Sequence, residues 1–217
     1  MTDWNQMLPK KYYGSSRPEI VALLPAKVER LLDVGCAEGG FGAAVLAARP
    51  GAQVWGVEPI DAPAQAARGR LTQVLHGRFE EGIELPDGFF DVLTFNDSLE
   101  HMPDEHAALR LAHRKLSANG SVICSVPNVR YIEHLQELLV DADWRYRDYG
   151  ILDRTHLRFF TRRSICRTLE ECGFKVNAVH GINSHWWRGW KIGLLKAAFG
   201  RHVEDMRWKQ FIVLASR

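Results

Sequence analysis

The run Leu31-Leu32-Asp33-Val34-Gly35-Cys36-Ala37-Glu38-Gly39-Gly40-Phe41-Gly42 constrains this chain more than any other stretch. Its apolar start reads as a buried strand, its glycines as a tight turn, and the alanine-rich residues that follow as a helix stopped by Pro50-Gly51. Val54-Trp55-Gly56-Val57-Glu58 then reads as a second strand with an acidic end. A strand, a glycine turn, a helix and a strand ending on a carboxylate make a nucleotide-binding half-fold. The glycines let backbone N–H groups approach a ligand that side chains would otherwise hold away. Glu58 stands where a carboxylate accepts hydrogen bonds from a ribose diol. A pyrophosphate site is disfavoured, because Ala37 breaks the G-x-G-x-x-G fingerprint and Glu38 puts an anion at the helix start. The loop suits a less anionic ligand: an adenosine with an amino-acid end.

The same residues resemble motif I of class I methyltransferases that depend on S-adenosylmethionine (SAM), hydrophobic-D-hydrophobic-G-C-x-x-G-x-x. The resemblance implies that Gly35 to Gly39 wrap the methionine and ribose of SAM and that Glu58 holds the ribose hydroxyls. The cofactor set it implies is Asp33, Gly35, Cys36, Ala37, Gly39, Phe41, Glu58, Pro59, Phe79, Asn96, Asp97 and Ser98. One departure concerns adenine. The family carries G-D-hydrophobic after the third strand, whereas this chain has Gly77-Arg78-Phe79-Glu80-Glu81. A guanidinium accepts no hydrogen bond, so the backbone near Phe79, or Glu80, must serve.

A chain of 217 residues suits one α/β domain, here 1–217, with an N-terminal arm over 1–16 and a Trp-rich basic insertion over 183–206 before the last strand. Strands are expected near 30–35, 53–58, 72–75, 90–95, 121–126, 175–180 and 210–215. Helices are expected near 18–24, 39–48, 61–69, 103–115 and 131–140, with another from the Thr161 cap to Cys172. Ser16 is a candidate cap for the first helix, and Asn119-Gly120 a turn into the fifth strand. This alternation predicts a mostly parallel sheet covered on both faces. The resemblance implies more: a Rossmann-like, doubly wound, seven-stranded sheet in the order 3-2-1-4-5-7-6, its last strand antiparallel.

The net charge of +2 offers no field to recruit nucleic acid, and none is expected as a partner. Cys36, Cys124, Cys166 and Cys172 form no C-x-x-C pair and no zinc spacing, so they read as small buried residues, with no metal expected. No secretory signal and no bilayer-length apolar run is visible, which makes a cytoplasmic protein the expectation.

Ligands of such sheets bind outside the carboxyl ends of the strands, at the switch in strand order. After the fourth strand comes Asn96-Asp97-Ser98-Leu99-Glu100-His101-Met102-Pro103, similar to motif IV of the small-molecule branch of the family. The resemblance implies that Asn96 and Asp97 lie near the methionine end of SAM and that Leu99 to His101, Glu100 and His101 foremost, face the methyl acceptor. The plainer reading makes Glu100-His101 a hydrogen-bonded pair at a helix start. Asp153-Arg154-Thr155-His156-Leu157-Arg158-Phe159-Phe160-Thr161 resembles a D-x-T-H-x-R-F-F-T stretch of bacterial small-molecule and saccharide-pathway methyltransferases. An alcohol is a weak nucleophile until a base takes its proton. His156 is the first candidate base and His101 the second, with Asp153 orienting His156 and Arg158 holding an anionic part of the substrate. The competing reading makes Asp153 and Arg158 an ion pair that pins the loop, with His156 in its network.

From residue 185 to 217 the Lys and Arg residues number seven and the Asp and Glu two. Trp187 and Trp190 stand in this segment as candidate substrate contacts. The segment packs on the core, closes as a lid over the substrate, or touches a membrane peripherally through 185–200. The acceptor expected is a hydroxyl on a small metabolite, a saccharide or a lipid-linked intermediate. The absence of an N-P-P-Y-like tetrad after the fourth strand argues against amino groups of DNA bases. The alternatives are a SAM-binding module that transfers nothing and works through a partner, or a methyltransferase of protein or RNA. A nicotinamide oxidoreductase is the remaining alternative, opposed by Ala37 and Glu38.

Overall fold

A computed structural model describes residues 15–184 and 190–217. Seven strands, β1 (Arg30–Val34), β2 (Gln53–Glu58), β3 (Gln73–His76), β4 (Phe90–Asn96), β5 (Leu116–Pro127), β6 (Lys175–Ser184) and β7 (Trp208–Ser216), form one sheet in the order β3-β2-β1-β4-β5-β7-β6. The first five pair in parallel, and β7 runs antiparallel between β5 and β6. The helices are α1 (Pro18–Val21), α2 (Gly40–Ala48), α3 (Asp61–Arg68), α4 (Glu105–Lys115), α5 (Ile132–Leu139), α6 (Arg162–Glu171) and α7 (Trp190–Phe199).

The strand pattern explains why both faces are covered. Successive side chains of a strand point to opposite faces. Leu32 and Val34 of β1, Leu93 and Phe95 of β4, and Val122, Cys124 and Val126 of β5 accordingly enter one core. Their neighbours Leu31, Val92 and Ile123 enter the other. Helices α4 and α6 pack on the first face, while α1, α2 and the turn after α3 close the second. Helix starts are fixed by side chains where the sheet needs them. Asp104 caps α4 by accepting from the Ala107 N–H at 2.8 Å, and Thr161 and Ser164 form a reciprocal capping box on α6.

Three expectations are corrected. Helix α1 ends at Val21, and its cap is Arg17 in the left-handed region (φ 44°), not Ser16. Asn119-Gly120 does not open β5. That strand starts at Leu116, which pairs with Phe90, and the register then shifts so that the next pair is Val92 with Ser121. Strand β6 extends to Ser184, because antiparallel pairing with β7 continues as far as Trp208.

Candidate active site

A cavity of about 1150 Å³ opens at the carboxyl ends of β1, β2 and β4, where the strand order reverses. Asp33, Gly35, Cys36, Ala37, Phe41, Glu58, Pro59, Phe79, Asn96, Asp97 and Ser98 all line it. Gly39 does not. It caps α2 at φ 78°, and a Cβ there would stand 3.1 Å from Leu71 and 3.3 Å from Ala67, so its task is packing against α3.

The loop after β1 is tied to β2 and β4. Gly35 and Cys36 donate their N–H groups to the Val57 carbonyl at 2.8 and 3.1 Å. Ser98 donates its hydroxyl to the Val34 carbonyl at 2.6 Å. Gly35 stands at φ 78°, and a Cβ there would lie 2.7 Å from the Ser98 Cβ, so only glycine lets these two loops meet. Asp33 is buried beneath them and accepts from Thr94 Oγ1 and Asn96 Nδ2 at 2.7 and 3.0 Å. Burial pushes its carboxyl up to about 6, against the opposing pull of those two bonds.

Glu58 closes the β2 end. Its Oε2 accepts from the Ala37 N–H at 2.9 Å and its Oε1 from the Ile60 N–H at 3.0 Å. A carboxylate offers about four acceptor positions, so about two stay open toward the cavity. Burial raises its pKa, and the two N–H donors oppose that rise. Asn96 Oδ1 is buried and has no hydrogen-bond partner among the described residues. A glycine that a Cβ would jam, a carboxylate with open acceptor positions and an orphaned amide oxygen fit an adenosine with a ribose diol and an ammonium-bearing tail. Beyond β3, Arg78, Phe79, Glu80 and Glu81 form the wall. Phe79 meets Phe95 edge-on at 5.9 Å, and Arg114 holds Glu81 at 2.7 Å. Among the described residues, Glu80 is therefore the cavity carboxylate of this segment without such a bridge.

Sequence reasoning missed Arg17. From the start of α1 its guanidinium pairs with Asp97, donates to Ser125 Oγ at 2.7 Å and pairs with Glu19 at 2.6 Å. Asp97, at φ 52°, also accepts from Ser125 Oγ and Gln210 Nε2 at 3.0 Å each. α1 and the ends of β4, β5 and β7 thus meet at Asp97. No local signal marks Arg17, since Asp97 and Ser125, the partners that tie it to the site, lie far along the chain.

The acceptor end departs further from expectation. His101, Met102, Thr155 and Leu157 line the cavity, whereas Glu100, Asp153, His156 and Arg158 do not. His156 is buried behind His101, their rings 4.8 Å apart and edge-on. Its Nδ1 donates to the Ile151 carbonyl at 2.9 Å, which makes Nε2 the lone-pair nitrogen, 3.9 Å from Glu100 Oε1. Of the two candidate bases it is therefore His101 that meets the cavity. Its Nδ1 donates to the Thr155 carbonyl at 3.2 Å and to Thr155 Oγ1 at 3.0 Å. Thr155 Oγ1 donates onward to Asp153 Oδ1 at 2.6 Å. Asp153 thus orients His101 through Thr155, not His156.

Burial lowers the pKa of both histidines, and for His101 the neighbouring His156 adds to it. Burial raises Glu100 well above the ordinary carboxylate range. Arg158 pairs with Glu105 at 2.7 Å and donates to the Leu157 and Pro103 carbonyls, so it pins the loop to the start of α4. Its partner is Glu105, not Asp153.

Trp187 lies outside the described residues, and Trp190 is the first residue of α7. Of the stretch expected to touch a membrane, Leu194 and Phe199 are exposed and Lys196 pairs with Glu204 at 2.7 Å. Among the described residues no helix is long and apolar enough to cross a membrane.

Residues 10–179 match a methyltransferase domain family. The chain is 28% identical over 169 residues to the ubiquinone biosynthesis O-methyltransferase of Aeromonas salmonicida, across 71% of this chain and 66% of that protein. It is 28% identical over 132 residues to the trans-aconitate 2-methyltransferase of Methylobacterium radiotolerans, across 59% of this chain and 51% of that protein. The chain thus spans between half and two thirds of the length of these curated relatives. A SAM-dependent methyltransferase structure from Archaeoglobus fulgidus shares the fold, with a TM-score of 0.69 and 18% identity over 99% of this chain and 100% of that one.

Proposed function

The chain belongs to the methyltransferase domain family, and on that premise we propose that it moves a methyl group from SAM to a hydroxyl of a small metabolite, a saccharide or a lipid-linked intermediate. Bound SAM supplies a sulfonium methyl open to in-line displacement. What the chain supplies is position. The Gly35–Ala37 turn presents backbone to the ligand, and Glu58, fixed by two N–H donors, accepts from the ribose hydroxyls. Asn96 Oδ1 accepts from the ammonium of the amino-acid tail, beside an Asp97 immobilised by Arg17, Ser125 and Gln210. Phe79 and Glu80 face adenine in place of the usual aspartate.

Holding acceptor and methyl in line accounts for much of the barrier reduction in such a transfer. The proton of the acceptor hydroxyl leaves toward Glu100, His101 and His156, of which only His101 meets the cavity. That placement carries the reading: His101, its Nδ1–H held by Thr155, lines the same cavity as Glu58 and Asn96. Met102 and Leu157 give this end an apolar wall suited to a ring or an acyl chain.

The test uses purified protein, methyl-labelled SAM and an extract of the source organism, sorted into polar small-molecule, lipid, saccharide, protein and RNA fractions. Label in one of the first three, absent with Glu58→Ala and stable to mild base as an ether is, agrees with the proposal. Label that mild base releases, or that appears in protein or RNA, contradicts it.

A further inference from the structure

We infer that Trp144 is a positioning residue for the methyl transfer: through Phe159 and His156 it holds the His101 imidazole against the cavity. Five rings stand in a row from α5 to the cavity wall, each meeting the next edge-on. The centroids of His134 and Trp144 are 4.8 Å apart, those of Trp144 and Phe159 5.4 Å, those of Phe159 and His156 6.3 Å, and those of His156 and His101 4.8 Å. At such separations the positive edge of one aromatic ring is attracted to the face of the next.

The row supplies what the hydrogen bonds to His101 do not. Thr155 holds one atom of that ring, Nδ1, through its carbonyl and its hydroxyl. A ring held at one atom keeps the freedom to swing about it, and a swing displaces Nε2, the nitrogen left to take a proton. A second ring packed edge-on against it removes that freedom. His156 can act as this stop because it is held on two sides, by the Ile151 carbonyl on its Nδ1 and by Phe159 behind it.

Trp144 backs Phe159, and its own segment is tied down. Arg147 pairs with Glu137 of α5 at 2.9 Å and donates its N–H to the Leu152 carbonyl at 2.8 Å, while the Arg154 N–H returns to the Arg147 carbonyl at 3.0 Å. The segment that bears Trp144 is thereby fastened both to α5 and to the loop that bears Asp153, Thr155 and His156. At the far end of the row His134 is buried, and neither of its ring nitrogens has a hydrogen-bond partner among the described residues, so it meets Trp144 as a ring and not as a polar group. Trp144 itself is 36% exposed and packs in neither core of the sheet. Burial alone does not account for an indole at that position, whereas a backing for Phe159 does. The inference rests on the hydroxyl reading for its use, since there His101 takes the proton of the acceptor.

The test reads the His101 ring directly, by NMR of protein whose histidines carry nitrogen-15, with His101 assigned from its absence in His101→Gln. The parent is compared with Trp144→Phe, Trp144→Leu and Phe159→Leu at a pH where the imidazoles are neutral. In the parent and in Trp144→Phe, which keeps a ring in the row, His101 is expected in one tautomer with its proton on Nδ1. In the two leucine variants the ring leaves Thr155, and the Nε2–H tautomer that free imidazole prefers in water appears. Transfer of label from SAM falls about 10- to 100-fold in these two and by about half or less in Trp144→Phe, as expected when a reacting group is misplaced by part of an ångström. SAM titration shows that each variant is folded and binds the cofactor as the parent does, and where one leucine variant is unfolded the other decides. An unchanged tautomer in the folded leucine variants, or a loss in Trp144→Phe as large as in Trp144→Leu, overturns the positioning role. A tautomer change with label in no fraction breaks the hydroxyl reading alone, and label in the expected fractions with an unchanged tautomer breaks the ring row alone.

Discussion

The two ends of the cavity are built on different principles. At the SAM end, regular elements deliver the ribose wall: a strand, its glycine turn and the end of the next strand, with Glu58 held by nearby backbone through the Ala37 and Ile60 N–H groups. At the acceptor end, a single turn of 3-10 helix (Leu99–His101) meets an irregular loop from a distant part of the chain, and buried ionisable groups face one another with fewer bonds. The first end is a general device of α/β sheets. The second is where a chain of this kind sets what it methylates, because loops on a rigid scaffold carry specificity.

The sharpest way to break that division is His101→Ala. If His101 serves only the acceptor end, turnover falls about a thousandfold, in the range for loss of a proton-transfer group, while calorimetric SAM affinity stays within threefold of the parent. A parallel loss of SAM affinity would join the two ends into one unit.

Gly35→Ala probes the other end. A Cβ 2.7 Å from that of Ser98, in a left-handed backbone, is expected to cost about 3 kcal/mol in denaturant unfolding. A loss under about 1 kcal/mol would mean that the two loops separate easily.

Asp33 gives the SAM end a pH signature. Its folded-state pKa of about 6 lies above the ordinary 3.8, so the folded protein holds that proton more tightly than the unfolded chain does. The buried charge costs stability above about pH 6, and the cost fades as pH falls toward 4. Asp33→Asn is therefore expected to gain about 2–3 kcal/mol relative to the parent between pH 4 and pH 8, at 1.36 kcal/mol per pKa unit. Melting curves across that range check it, and a difference independent of pH would contradict it.

Arg158→Ala is expected to change least. Its ion pair with Glu105 is partly exposed, which limits the loss to about 1 kcal/mol or less. A large loss of turnover at unchanged stability would return Arg158 to the role of substrate contact.

The same contrast explains what the sequence disclosed. The strand order and the residues around Gly35 and Glu58 were legible because they rest on local periodicity, turn chemistry and a resembled motif. Arg17 was not, because its meaning lies in reaching Asp97 across the sheet ends. Asn119-Gly120 read as a turn because its composition is that of one, yet pairing of Leu116 with Phe90 carries the strand past it. His156 read as the base from residue type and motif. Which of the two edge-on imidazoles meets the cavity depends on the Leu157 and Arg158 N–H groups docking on the Glu100 carbonyl, and no spacing encodes that.

The central claim, a SAM end and an acceptor end that work as separate units, is tested most directly by calorimetric titration of SAM into Glu58→Ala and His101→Ala side by side, with methyl transfer measured on both. The account predicts that Glu58→Ala weakens SAM binding about 10- to 100-fold, as loss of charge-assisted hydrogen bonds to a diol should. It predicts that His101→Ala binds SAM as the parent does, and that both lose transfer. Equal weakening of SAM binding in the two variants, or transfer retained by His101→Ala, would contradict it.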